Sequence, residues 1–223
     1  MEKFIRKMNK FFSILIASIV AISPVLAQNN ITPTRKQEAR AQKEAQKEAK
    51  QLTKEKFDLL EMGDLEMMLE DFFLERNVYK KKQLVGTAVA SELASVDFAR
   101  LEALNFAMNQ YAMSAASMAK GRIVANASRI GEDTINDLVS AFERLVVGEL
   151  KGEVFPNITL LRKEKKNKET NKTEYYVRVY CLLDLDAAHT ARMRAMQNAL
   201  EELKLSQEYG SEVSGWIDEG LNK

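Results

Sequence analysis

The stretch "TEYYVRVYCLLDLD", Thr173 to Asp186, decides how the chain folds. Its odd positions, Tyr175, Val177, Val179, Cys181, Leu183 and Leu185, are all apolar, and its even positions include Arg178, Tyr180, Asp184 and Asp186. Successive side chains of a strand point to opposite faces, so this is a strand with Cys181 turned into the core. Upstream, "GEVFPNITLLRK", Gly152 to Lys163, is again rich in β-branched and aromatic residues. The charged run "KEKKNKETNK", Lys163 to Lys172, joins the two. Two such runs across a polar connection predict an antiparallel hairpin with a projecting loop. Downstream, "AAHTARMRAMQNALEELKL" predicts a helix with Asp186 as its N-cap and a stripe of His189, Met193, Met196, Leu200 and Leu203.

The only cysteine and the only histidine of the chain, Cys181 and His189, fall within this stretch. They do not form a nucleophile–base pair. The strand from Cys181 to Asp186 advances ~16 Å at ~3.3 Å per residue, and the helix to His189 can return only ~4.5 Å. Thiol–imidazole catalysis needs contact at about 3 Å. A cysteine among valines and leucines has a raised pKa and is inert. Asp184 and Asp186 make a D-x-D on one strand face, but a hard-cation site needs more oxygen ligands at defined spacing, so the pair is assigned to capping and solvation. Motifs for zinc, phosphate cradling or a serine nucleophile are absent from the sequence. No catalytic residue, cofactor-binding residue or metal ligand is therefore predicted, and no cofactor.

Between residues 81 and 151 the pattern is mostly helical. "KQLVGTAVAS", Lys82 to Ser91, reads as a short strand containing Gly86. A long helix follows from about Ser91 to Ala119, with Ala99, Ala103 and Ala107 every four residues and Phe98, Leu101, Leu104 and Met108 beside them. Small residues at that spacing allow close approach to a sheet. Gly121 is expected to interrupt it. Ile135, Leu138, Val139, Phe142 and Val146 mark another amphipathic helix, starting near Asp133. Met108, Met113, Phe106 and Tyr111 are core candidates, with a small-ligand pocket as the alternative.

Toward the N-terminus, "RKQEARAQKEAQKEAKQLTKEKF" consists of good helix formers, with Ala41, Ala45, Ala49 and Leu52 on one narrow stripe. Residues 35–56 hold eight basic and four acidic groups, and residues 57–79 seven acids and one base. Gly63 is read as a helix end and Asp64 as the N-cap of the next helix, which places Leu65, Met68, Leu69 and Phe72 on one face. Charge runs of this kind are mostly solvated faces; the functional alternative is contact with an anionic envelope polymer or membrane surface.

The first 27 residues predict a secretory signal peptide. Lys3, Arg6, Lys7 and Lys10 precede the apolar run Phe11 to Val25, and Val25 and Ala27 stand at −3 and −1 of a cleavage site after Ala27. The run is shorter than the ~20 residues of a spanning helix. No cysteine follows it for lipid attachment. The expected location is periplasmic or secreted, with no transmembrane span after cleavage. One cysteine permits no internal disulfide, and a formal net charge of +1 on 223 residues gives no field pointing to nucleic acid. Asn30, Asn126, Asn157 and Asn171 begin N-x-S/T, which matters only in a eukaryotic secretory pathway.

The predicted organisation is a signal peptide (1–27), a charged helical arm or helical hairpin (28–80), an α+β domain (81–208) and a short docking helix (209–223) carrying Val213, Trp216 and Ile217. The α+β domain is a small antiparallel sheet of about three strands covered by helices. "ARAQKEAQKEAKQLTKEKF", "DFARLEALNFAMNQYA" with its Ala99, Arg100, Ala103 pattern, and "YYVRV" together resemble secreted proteins of Bacteroidetes-type bacteria. They also resemble the LPP-twenty-like surface lipoproteins and the N-terminal domain of flagellar assembly protein T. The resemblance spans roughly residues 35–210 and implies a non-enzymatic α+β envelope domain; it supplies no catalytic residue. The functional expectation is an envelope-associated structural or interaction module with a protein or polymer partner. The alternatives are a small-ligand binder or a thiol enzyme using Cys181.

Overall fold

The computed structural model describes residues 31–126 and 130–205. The segments read from the sequence as a signal peptide (1–27) and a C-terminal docking helix (209–223) lie outside the described residues. In chain order the elements are α1 (Arg35–Lys54), β1 (Asp58–Leu59), α2 (Leu65–Val78), β2 (Lys82–Ala90), α3 (Val96–Asn126), α4 (Glu132–Leu150), β3 (Pro156–Lys166), β4 (Thr173–Leu183) and α5 (Leu185–Glu202). The chain is α+β, with helices packed on an antiparallel sheet ordered β1-β3-β4-β2. The sheet has four strands rather than about three. The extra one, β1, pairs Asp58 with Leu161 and Leu59 with Leu160, and two residues are too few to show a period.

β4 is the central strand. Its odd positions Val177, Val179, Cys181 and Leu183 are buried as the alternation predicts. Val179, Cys181 and Leu183 face the larger core, which gathers Ala103, Phe142, Val146, Met196 and Leu200 from α3, α4 and α5, while Val177 packs with Ala90, Val96 and Ala99 in a smaller one. α3 serves two neighbours in turn. Ala99, Ala103 and Ala107 are buried in its first half, and Ala112, Ala116, Ala119 and Ile123 in its second, so no single face is apolar throughout. The helix starts at Val96 behind a 3-10 turn and runs unbroken through Gly121, where the sequence suggested a break.

The even positions of β4 face a second layer. Tyr180 and Leu182 are also buried, in a second core with Ala41, Ala45, Leu52, Leu69 and Phe72. Residues 35–78 form a helical hairpin, one of the two alternatives read from the sequence, and it is laid on the sheet; Pro33 onward forms one compact unit. The Tyr180 hydroxyl donates to Glu48 at 2.5 Å and its ring meets Phe72 edge-on, centroids 5.8 Å apart. Arg76 of α2 bridges the layer, reaching Glu44 of α1 at 2.6 Å and Gln83 of β2 at 2.8 Å.

Local boundaries follow from caps and turns. Thr34 caps α1 in a capping box with Gln37, and Asp64 caps α2 through the Met67 N–H at 2.9 Å. α1 stops well before Gly63, with Glu55 as its C-cap, so Gly63 is not its end. Asp184, not Asp186, caps α5, accepting from the N–H groups of Asp186 (2.8 Å) and Ala187 (3.1 Å). α4 persists to Leu150, two residues before the β-rich run that starts at Gly152. The ladder between β3 and β4 extends to Lys166 and Thr173, leaving a shorter loop than the charged run suggested. Asn167 closes that loop, accepting from the N–H of Glu169 at 2.9 Å.

Candidate functional site

Cys181 is fully buried on β4. Burial pushes its thiol from a usual value near 9 up to about 12, against a small opposing effect of the Arg100 charge. A thiol in that state is not a nucleophile at neutral pH. His189 is on α5 and half-buried, Asp184 is committed to the α5 cap and Asp186 is exposed. Among the described residues no cluster of three or more His, Cys, Asp or Glu side chains could hold a metal ion.

Two outcomes are expected from the buried thiol. Iodoacetamide should modify Cys181 in the folded chain at a rate set by global unfolding; rapid modification at neutral pH would place the thiol at the surface. Because folding raises this pKa, the unfolded thiol ionises first as pH rises. Its stabilising contribution is complete below about pH 9 and is lost toward about pH 12, with a slope of up to about 1.4 kcal/mol per pH unit. Burial pushes Tyr111 and Tyr180 in the same direction. Denaturation curves from pH 8 to 11 should show the decline, and Cys181→Ala should flatten part of it.

The ligand pocket suggested for Met108, Met113, Phe106 and Tyr111 is not assembled. Met108 and Tyr111 are buried, whereas Phe106 and Met113 face solvent, 45% and 52% exposed. Four residues drawn from one helical pattern need not share a side. Tyr111 instead joins elements: Arg192 of α5 donates to its hydroxyl and Lys82 of β2 lies 4.9 Å over its ring.

A different concavity exists. The first half of α3 and the connection between α4 and β3 enclose a cleft of about 490 Å³, within the usual range of ligand pockets. Leu101, Leu104 and Met108 line it from α3, and Val154 and Phe155 from the connection. Leu101 and Phe155 are 58% and 65% exposed at its rim. Its charges are Asp97, Arg100 and Lys151. Arg100 is held incompletely. Its Nη2 lies 3.8 Å from Glu61, beyond hydrogen-bond reach, and its Nε is buried without an acceptor. The other Glu61 oxygen accepts from the Thr159 N–H at 3.2 Å, and the buried Thr159 hydroxyl has no partner. The sequence marked Arg100 only as part of an A-R-x-x-A pattern and Phe155 as a strand residue. Nothing local in the sequence signalled that α3 and the segment after α4 meet there.

No helix among the described residues is long and apolar enough to cross a membrane. Set against known proteins, the chain matches no family model, no curated protein and no solved structure.

Proposed function

We propose that the chain is a periplasmic or secreted interaction module of the cell envelope, which binds a partner and transforms no substrate. The observation that carries this reading is the solvent side of α3. Phe106, Met113 and Val124 are separated by about two and about three helical turns, so they share one side of the helix, and all three are exposed. Exposed apolar side chains on one side of a helix are surface that a partner would take out of water. The signal sequence expected from residues 1–27 and the resemblance to envelope proteins support the location. The burial of Cys181 weighs against the thiol-enzyme reading.

The test is photocrosslinking in cells from positions 106 and 113, with the exposed Gln46 of α1 as the control position. A discrete, reproducible adduct in the envelope fraction from 106 and 113, and none from 46, is the expected result. No adduct, or the same adducts from all three positions, would count decisively against the stripe. A small-ligand reading is favoured by one other observation, the cleft beside Arg100.

A further inference from the structure

We propose that the cleft between α3 and the connection preceding β3 binds an amphipathic monoanion, an alkyl carboxylate, with Arg100 as its counter-ion. The cleft lies on the same long helix as the apolar stripe but does not use Phe106, Met113 or Val124.

The apolar part of the ligand is indicated by the walls. Leu101, Leu104, Met108 and Phe155 surround a concavity of about 490 Å³, and Leu101 and Phe155 remain mostly exposed at its edge. An alkyl chain laid there removes both from water, which is favourable in proportion to the area covered.

The charge of the ligand is indicated by Arg100. A guanidinium offers five N–H donors. Here the nearest carboxylate, Glu61, stands 3.8 Å from Nη2, beyond hydrogen-bond reach, and the side chain is about a third exposed, so its terminal N–H groups, rather than the buried Nε, are what a ligand in the cleft can reach. A carboxylate can take two parallel N–H bonds from one guanidinium, and such forked pairs are stronger than neutral hydrogen bonds. Lys151 adds a second cation at the rim.

Single charge follows from the same inventory. Asp97 lines the cleft and Glu61 lies 3.8 Å from Arg100. These two carboxylates would repel a dianion such as a phosphate monoester, whereas a carboxylate carries the least charge that satisfies the fork. An uncharged alcohol of the same length would leave Arg100 as it is.

The experiment is calorimetric titration of the full chain with sodium decanoate, 1-decanol, sodium acetate and decyl phosphate, each below its aggregation limit. The expected result is saturable one-to-one binding of decanoate, with the other three at least about tenfold weaker. Arg100→Gln should weaken decanoate at least about tenfold, with its unfolding transition measured alongside. Leu101→Glu replaces an exposed residue, so the fold is retained, and the added carboxylate at the rim should weaken decanoate by a similar factor. The proposal is overturned if decanoate shows no saturable binding, if decanol binds as tightly, if decyl phosphate binds more tightly, or if the folded Leu101→Glu chain binds decanoate as the wild type does.

Discussion

Gly86→Ala is expected to destabilise the chain by at least about 3 kcal/mol, although alanine is ordinarily the better residue inside a strand. A Cβ built on Gly86 would lie 1.8 Å from the carbonyl oxygen of Ala103, 2.7 Å from its carbonyl carbon and 3.1 Å from the Ala107 Cβ. The first two atoms are helix backbone and have no rotamer to adopt. They can move only if α3 lifts from β2, which opens the core around Leu84 and Ala107. Gly86 is thus the counterpart of the alanine series on α3: small residues on both surfaces bring helix and strand into backbone contact. Gly121→Ala is the matching control. Nothing lies within 4 Å of a Cβ there, and in the interior of α3 the change should add about 0.5–1 kcal/mol. Urea denaturation of the three chains checks both signs. A Gly86→Ala chain as stable as the wild type would mean that α3 does not approach β2 this closely.

The order of strands and helices from β2 to α5 was legible because each element is long enough to repeat its period, as the odd positions of β4 do. The second face of the sheet was not, and the reason lies in the side chains at the even positions. Tyr180 and Arg178 carry polar ends, so a period-two reading assigns them to solvent. In the fold the Tyr180 ring is buried while its hydroxyl reaches Glu48. Arg178 stacks 4.3 Å over Phe57 and pairs with Glu55 at 3.0 Å. Amphipathic side chains of this kind satisfy both a core and a charge, and only the partner element shows which. Small residues at four-residue spacing were correctly taken as a sign of close approach in α3, and Ala41, Ala45 and Ala49 carry the same sign in α1. The run of basic residues around them obscured it. The cleft was not legible at all, because Arg100 and Phe155 meet only through the tertiary path of the chain.

Ala45→Lys is expected to cost about 3 kcal/mol or more, because it introduces a charge without a partner into a closed layer. Ala45 is fully buried, as are Ala41 and Leu52 on the same stripe. The substitution leaves helix propensity nearly unchanged and adds one cation to a segment already rich in them, so on a solvated arm it would be silent. Its effect therefore reads the packing of α1 alone. Gln46→Lys, one residue on and exposed, makes the same chemical change outside the layer and should stay within about 0.5 kcal/mol of the wild type. The readout is the denaturation midpoint together with proteolysis by trypsin. If α1 and α2 cover the sheet through the core of Phe72, Ile158, Leu160 and Tyr180, the Ala45→Lys chain should lose global stability and be cut early within residues 35–56, while Gln46→Lys resists like the wild type. If both chains unfold with the wild type, α1 is an appendage of the domain and the second core does not contribute to its stability.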